Sequence, residues 1–346
     1  MKGKRLMKRI IATQLAAAMA LTLSPVIGSE KKVKAESAPY NLEAFNLDEV
    51  TITDDYYLSA QESDINFLCQ FDADRLLSRF RETAGLDTQG KKPYKGWEDS
   101  FLGGHCVGHY LTAAAQAVKA TNDPTLSGIL DYMIDELQIC QDALGTGFIF
   151  GAKIQDKNNV EKQFNIVEGK DSGDTWVPWY NMHKVLTGLI DVYRYTDNEK
   201  ALDIAKNLGT WIYNRVSTWN TSTQNRILGT EYGGMNDCLY ELYRITDDTR
   251  YRDAAHKFDD PNLYKIITSG KENTLSGRHA NATIPKFLGA LNRYRVLSEK
   301  NELTSEDEQY LYYVEDFWTL MIEKHAYATG GVSDMEHFRN DNALDE

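Results

Sequence analysis

The sequence is short of the residues that staple small proteins, of positive charge and of long apolar runs. Its four cysteines, Cys69, Cys106, Cys140 and Cys238, are scattered through 346 residues with no C-x-x-C pair. That spacing excludes a zinc knuckle, gives no disulfide framework, and leaves buried free thiols as the expected state. Lys and Arg number 38 against 51 Asp and Glu, a formal net charge of −13. An acidic excess of that size repels phosphate backbones and anionic lipid, so neither nucleic acid nor membrane is an expected partner.

Ile10–Leu23 is mostly apolar and follows five basic side chains in residues 2–9. It is shorter than the ~20 residues a membrane span needs, and Val33-Lys34-Ala35 offers small residues for cleavage. Residues 1–35 therefore read as a secretory signal peptide and 36–346 as a secreted or cell-surface chain, with an uncleaved anchor as the alternative. The leader holds eight of the basic residues and one acidic residue, so its removal takes the net charge from −13 to −20.

What the chain has in quantity is helical spacing and aromatic rings. In Trp176–Tyr213, apolar residues recur at Val185, Leu186, Leu189, Ile190 and Tyr193, then at Ala201, Ile204, Ala205, Leu208, Trp211 and Ile212. This 3.6-residue period predicts two antiparallel helices, joined at Thr196-Asp197-Asn198-Glu199, which reads as a capping box. Similar patterns predict helices over Ser59–Phe80, His105–Ala120, Pro124–Ala143 and Ser305–Glu323, the last opened by a Ser305-x-x-Glu308 box. Phe148–Ile154 and Gln163–Val167 read instead as a two-stranded excursion. Tyr193-Arg194-Tyr195-Thr196-Asp197 is echoed 50 residues later by Tyr243-Arg244-Ile245-Thr246-Asp247, a weak internal repeat. Nine expected helices in hairpins give two candidate architectures, an open solenoid or an all-α (α/α)6 toroid that is incomplete at its C-terminal end. Polar and aromatic clusters before alternate helices favour the toroid, whose inner helices present their N-terminal ends to a central cavity.

Those clusters are the candidate site. Gly103-Gly104-His105-Cys106-Val107-Gly108-His109 sets two histidines at i and i+4; sugar contacts, a satisfied helix start and a metal pair remain open, although Cys106 stands where a zinc-protease motif has glutamate. Trp176-Val177-Pro178-Trp179-Tyr180-Asn181-Met182-His183 offers an aromatic platform with Trp179, and His183 near a helix N-terminus is expected to be neutral. Glu231-Tyr232-Gly233-Gly234 and Gly277-Arg278-His279-Ala280-Asn281 add Glu231 and His279, each equally readable as a plain helix start. Gly330-Gly331-Val332-Ser333-Asp334-Met335-Glu336-His337-Phe338 displays Glu336 between apolar neighbours, a setting that would raise its pKa and suit it to proton donation; an ordinary surface loop carboxylate is the alternative. Six Trp, 20 Tyr and 12 Phe suit neutral sugars, although most such rings are core.

Taken in order, SAQ at Ser59–Gln61, DADRLLSRFRETAGL at Asp72–Leu86, GGHCVGHYL at Gly103–Leu111, WVPWYNMHK at Trp176–Lys184, EYGGMND at Glu231–Asp237, GRHANATIPK at Gly277–Lys286 and GGVSDMEHF at Gly331–Phe338 resemble the β-L-arabinofuranosidase glycoside hydrolases of family 127 and its sister family 146. The resemblance implies an (α/α)6 toroid, retaining hydrolysis of terminal β-L-arabinofuranosides of plant glycans, Glu336 as acid/base, and Gln61, His183 and His279 holding the sugar. Tyr232 stands where relatives commonly have histidine. The resemblance also implies zinc and a zinc-bound cysteine nucleophile. Their E-T-C motif lies downstream of EHF, so no metal ligand is expected in this chain and the zinc ligands are expected beyond Glu346. The expectation is thus an N-terminal part of such an enzyme, inactive alone. Another toroid glycosidase or lyase, or a non-catalytic glycan-binding protein, is the competing possibility.

Overall fold

The computed structural model describes residues 44–343 apart from 232, so the expected leader and Tyr232 lie outside the described residues. Among them there are helices and two isolated β-bridges but no strand, and no helix is long and apolar enough to cross a membrane. We number the α-helices α1 (Asp55–Cys69), α2 (Ala73–Thr83), α3 (His105–Thr121), α4 (Pro124–Leu144), α5 (Lys162–Val167), α6 (Pro178–Thr196), α7 (Glu199–Val216), α8 (Thr221–Thr230), α9 (Met235–Thr246), α10 (Thr249–His256), α11 (Pro261–Ile267), α12 (Ala280–Glu299) and α13 (Ser305–Lys324).

The fold is an all-α toroid of hairpins. Helices α3, α6, α9 and α12 line its inner side and pack in that order, with α4, α7, α10 and α13 behind them. Side chains and backbones meet in rising register. Gly108 lies against the Lys184 carbonyl and Thr112 Oγ1 donates to Asp191 at 2.8 Å; His183 packs on Gly234 and Arg194 donates to Glu241; Gly289 lies against Asn236 and Asn292 Nδ2 donates to the Asp237 carbonyl at 3.1 Å. Because sequence numbers climb together in every pair, the four inner helices are parallel. Their N-termini all open at one end of the ring.

Close approach of α3 and α6 depends on two glycines. A Cβ at Gly108 would sit 2.0 Å from the Lys184 carbonyl oxygen, and one at Gly188 would sit 2.7 Å from the Gly108 carbonyl oxygen. Both contacts are with backbone, which cannot swing aside.

At the opposite end, a short motif turns inner helices into outer ones. Thr121, Thr196 and Thr246 each donate the hydroxyl to the carbonyl four residues back. Asn122, Asp197 and Asp247 follow in the left-handed region, at φ 55°, 55° and 57°, which Asn and Asp tolerate better than other non-glycine residues. Asp123, Asn198 and Asp248 then cap the next helix through Leu126, Ala201 and Arg250 N–H groups. The repeat seen in the sequence is this turn.

Several expectations are corrected. Ser59–Phe80 is not one helix: the chain breaks at Gln70–Asp72, where Asp72 caps α2 through the Arg75 N–H at 3.2 Å. The cap of α7 is Asn198 rather than a Thr196/Glu199 box, and the box that opens α13 is Thr304 with Asp307, one residue earlier than expected. Phe148–Ile154 forms no strand and Gln163–Val167 lies in α5. That excursion is held by packing instead: Phe148 and Phe164 pack on Trp211 and Phe150 packs on both phenylalanines, and Arg215 clamps Glu161, Asn165 and Glu168 at 2.6–2.7 Å.

Candidate active site at the shared end of the inner helices

Each inner helix starts with residues that cannot satisfy its first amides locally, and the solutions they use build the site. At α3 the N-cap is Gly104 at φ 91°, so no capping side chain is present. Glu98, on a 3-10 turn at Gly96–Asp99, fills the gap. Its carboxylate accepts the N–H of Gly104 at 2.9 Å and of Cys106 at 3.2 Å, and meets His105 Nδ1 at 3.0 Å. Burial pushes the Glu98 pKa up, but the His105 and Gly104 contacts outweigh it and hold the carboxyl below its usual range.

Glu98, His105 and Cys106 place their donor atoms within 4.8 Å of one another, the one such group among the described residues that could hold a metal ion. The expectation of no metal-ligating group in this chain is corrected to that extent. Sequence spacing missed it because Glu98 sits on a loop outside any helical period; its signal was an acidic residue just ahead of a Gly-Gly helix start. His109, the i+4 partner of His105, lies edge-on to it at 6.1 Å between rings and takes no part in the group. Burial and the adjacent Glu98 charge push the Cys106 thiol up to about 12, so without a metal it is a thiol rather than a nucleophilic thiolate.

At α6 Pro178 occupies the first turn and Val177 provides no cap. Glu231 reaches across from the segment before α9: its Oε2 accepts the Tyr180 N–H at 3.3 Å and its carboxylate also takes the Trp179 N–H. Burial raises its pKa to about 8 in spite of those two amides and the Lys286 charge. Glu231 is therefore a buried, protonated cap at neutral pH, not a surface sugar ligand. Trp179 is likewise enclosed, at 0% exposure, among Phe164, Trp211, Trp219 and Phe258. The expected platform ring is core, and the exposed indole of this segment is Trp176, at 39%.

His183 sits one turn into α6 with its ring against Gly234, where a Cβ would come within 2.3 Å of Cε1. Gly234 has φ 123°, which also favours glycine. Burial first, then the Lys184 charge, holds the His183 pKa well below its ordinary value. The ring is neutral as expected, through desolvation more than through the helix dipole. Its Nδ1 is buried and has no hydrogen-bond partner among the described residues.

His279 is the residue before α12, and residues 334–338 are knitted onto that helix start. The Ala280 N–H donates to the Glu336 carbonyl at 2.8 Å, the Phe338 N–H to Arg278 at 3.0 Å and the Gly277 N–H to Phe338 at 2.9 Å. Buried Phe338 anchors the loop. Glu336 Oε2 lies 2.8 Å from His279 Nε2. The Glu336 side chain is 78% exposed, so the apolar surround expected for it is absent. Gln61 lies on α1 and is partly buried. The structure thus joins Glu336 to His279 and sets His183 and Glu231 in the same layer of helix starts.

The profile of the catalytic domain of family 127, β-L-arabinofuranosidase, matches residues 49–346. Among solved structures, the chain is similar to Ara127N-Se, a family 127 β-L-arabinofuranosidase from Geobacillus stearothermophilus T6, with a TM-score of 0.56 at 15% identity over 84% of this chain and 48% of that one. It is also similar to the family 127 β-arabinofuranosidase BT3674, with a TM-score of 0.55 at 16% identity over 86% of this chain and 46% of that one. The chain therefore spans about half the length of these relatives, and at such identity the likeness carries the fold alone. No curated protein matches it.

Proposed function

The chain belongs to the β-L-arabinofuranosidase glycoside hydrolases of family 127, and on that premise we propose that it provides the acid/base and sugar-binding part of an exported enzyme releasing terminal β-L-arabinofuranose from plant glycans. The observation that carries this reading is the His279–Glu336 contact at 2.8 Å, set on the end of the ring where all inner helices begin. A carboxyl group in contact with an imidazole can, when protonated, give a proton to a glycosidic oxygen and then, as the carboxylate, take one back from water, as retaining hydrolysis requires. His183, neutral and with Nδ1 unpartnered among the described residues, is suited to exchange a hydrogen bond with a sugar hydroxyl.

Retaining chemistry also needs a nucleophile. Burial raises the pKa of Cys69, Cys106, Cys140 and Cys238 alike, so none is poised as a thiolate. Zinc, implied by the family, finds donors of suitable type at Glu98, His105 and Cys106. They do not make up a complete site, because three donors fall short of the four that hold a structural zinc and Glu98 already accepts the first amides of α3. With no cysteine held as a thiolate, these 346 residues alone are expected to bind without turnover.

The test is a calorimetric titration with methyl β-L-arabinofuranoside, methyl β-L-arabinopyranoside and a uronate disaccharide, with hydrolysis followed in parallel. Selective binding of the furanoside supports the reading. Preference for the uronate would favour a lyase-type site, and no binding of any of the three would contradict the proposal.

A further inference from the structure

Two exposed tryptophans lie at the same end of the ring as the site, at the starts of α3 and α6, and have no part in the chemistry above. Trp97 is 60% exposed and Trp176 is 39% exposed. They come from segments 79 positions apart, and their ring centroids lie 5.5 Å from each other at an interplanar angle of 54°. Neither ring is carried by a loose loop. Trp97 precedes Glu98, which is buried and bonded to the Gly104 and Cys106 amides and to His105. Trp176 precedes Val177, Pro178 and Trp179, all buried.

Position follows from the same contacts. Glu98 holds the start of α3, and Trp176 leads into the start of α6, so the pair bridges two neighbouring inner helices at the end where His183, His279 and Glu336 sit. His105 and Tyr180, one from each helix, lie 6.2 Å apart, ring to ring, in the same layer. Exposed indoles on a fixed backbone present flat apolar faces to solvent, and those are the faces on which the C–H side of a sugar ring stacks. The acidic net charge of the chain disfavours an anionic partner for this surface.

We propose that Trp97 and Trp176 form a second sugar subsite, which takes a neutral sugar residue adjoining the terminal arabinofuranose of an oligosaccharide chain. The inference rests on the glycan-binding reading above and adds to it that the ligand extends beyond one residue. Stacking on preordered rings costs little conformational entropy, so the subsite raises affinity for longer ligands without entering the proton transfer.

Calorimetry and intrinsic tryptophan fluorescence on the full chain test this with methyl β-L-arabinofuranoside, the corresponding arabinofuranosyl disaccharide and trisaccharide, and neutral xylo- and gluco-oligosaccharides. The expected result is affinity for the trisaccharide at least about tenfold above that for the monosaccharide, with a shift in tryptophan emission. Trp97→Ala and Trp176→Ala should each remove most of that gain and leave monosaccharide affinity unchanged. Both side chains are exposed, so thermal unfolding should stay at the wild-type temperature. Equal affinity for short and long ligands in the wild type, or variants that keep the length dependence, would overturn the subsite. If no arabinofuranoside binds but a neutral xylo- or gluco-oligosaccharide does so in a Trp97- and Trp176-dependent way, the subsite stands and the arabinofuranosidase reading fails. If no neutral oligosaccharide binds at all, the subsite is refuted.

Discussion

Glu336 reaches His279 Nε2 at 2.8 Å from a backbone in the left-handed region, φ 65°, directly after Met335 at φ 46°. Two successive non-glycine residues in that region cost about 1–2 kcal/mol each, and the Ala280-to-Glu336 and Phe338-to-Arg278 backbone bonds hold them there. Strain of this kind persists where the surroundings over-determine it, often at functional sites. Here it turns the Glu336 side chain outward while its carbonyl stays fastened to the start of α12.

Two alanine substitutions should have opposite signs. Gly108→Ala places a methyl 2.0 Å from the Lys184 carbonyl oxygen, and forcing α3 from α6 should cost about 3 kcal/mol or more. Gly128→Ala on α4 meets nothing within 4 Å and should stabilise by about 0.5–1 kcal/mol through helix propensity. Urea unfolding of the two variants gives both values. A neutral Gly108→Ala would show that the inner helices do not pack as described.

Stability should fall as pH rises through the range in which Glu231 is protonated only in the folded state. The unfolded carboxyl releases its proton near 4.5, the folded one near about 8. Its contribution is therefore complete below about 4.5 and is lost progressively up to about 8. The loss is on the order of a few kcal/mol. Glu231→Gln keeps a neutral cap and should flatten this part of the profile. Melting temperatures of both proteins between pH 5 and 8.5 check it; parallel profiles would mean that Glu231 is ionised in its buried position.

All four cysteines should react slowly with a thiol reagent at pH 8. Burial keeps Cys140 and Cys238 inaccessible, and the Cys106 thiol, at about 12, is almost wholly protonated at that pH. Native protein should therefore show no fast phase, and denatured protein four equivalents. A single rapidly modified native thiol would identify an activated cysteine and contradict the account of the missing nucleophile.

Much of the scaffold was legible because its signals are local. The 3.6-residue period of Val185–Tyr193 and Ala201–Ile212 marked α6 and α7, and the repeated Tyr-Arg-x-Thr-Asp marked the turn that Asp197 and Asp247 make at positive φ. The misreadings came where tertiary contacts overrode local pattern. Phe148–Ile154 read as a strand, yet Phe148 packs on Trp211 and Phe150 on Phe148 and Phe164 instead of pairing. At the site, helix-start motifs singled out His183 and His279, and a Gly-rich loop Glu336, but the sequence could not say which side chains are buried. Trp179 and Glu231 are drawn under the surface by aromatic packing and by the free amides of α6. Glu98 and the Trp97–Trp176 pair depend on contacts between distant segments, for which one sequence has no periodic signal.

The most direct test of the central claim is the binding of methyl β-L-arabinofuranoside to the wild type, Glu336→Gln, His279→Ala and the double variant, measured by calorimetry between pH 5 and 8. If His279 and Glu336 act as one unit, each single substitution should weaken binding about tenfold or more and the double variant little further, because either change breaks the shared contact. Wild-type affinity in both single variants, or fully additive losses in the double variant, would contradict the placement of the sugar at this pair.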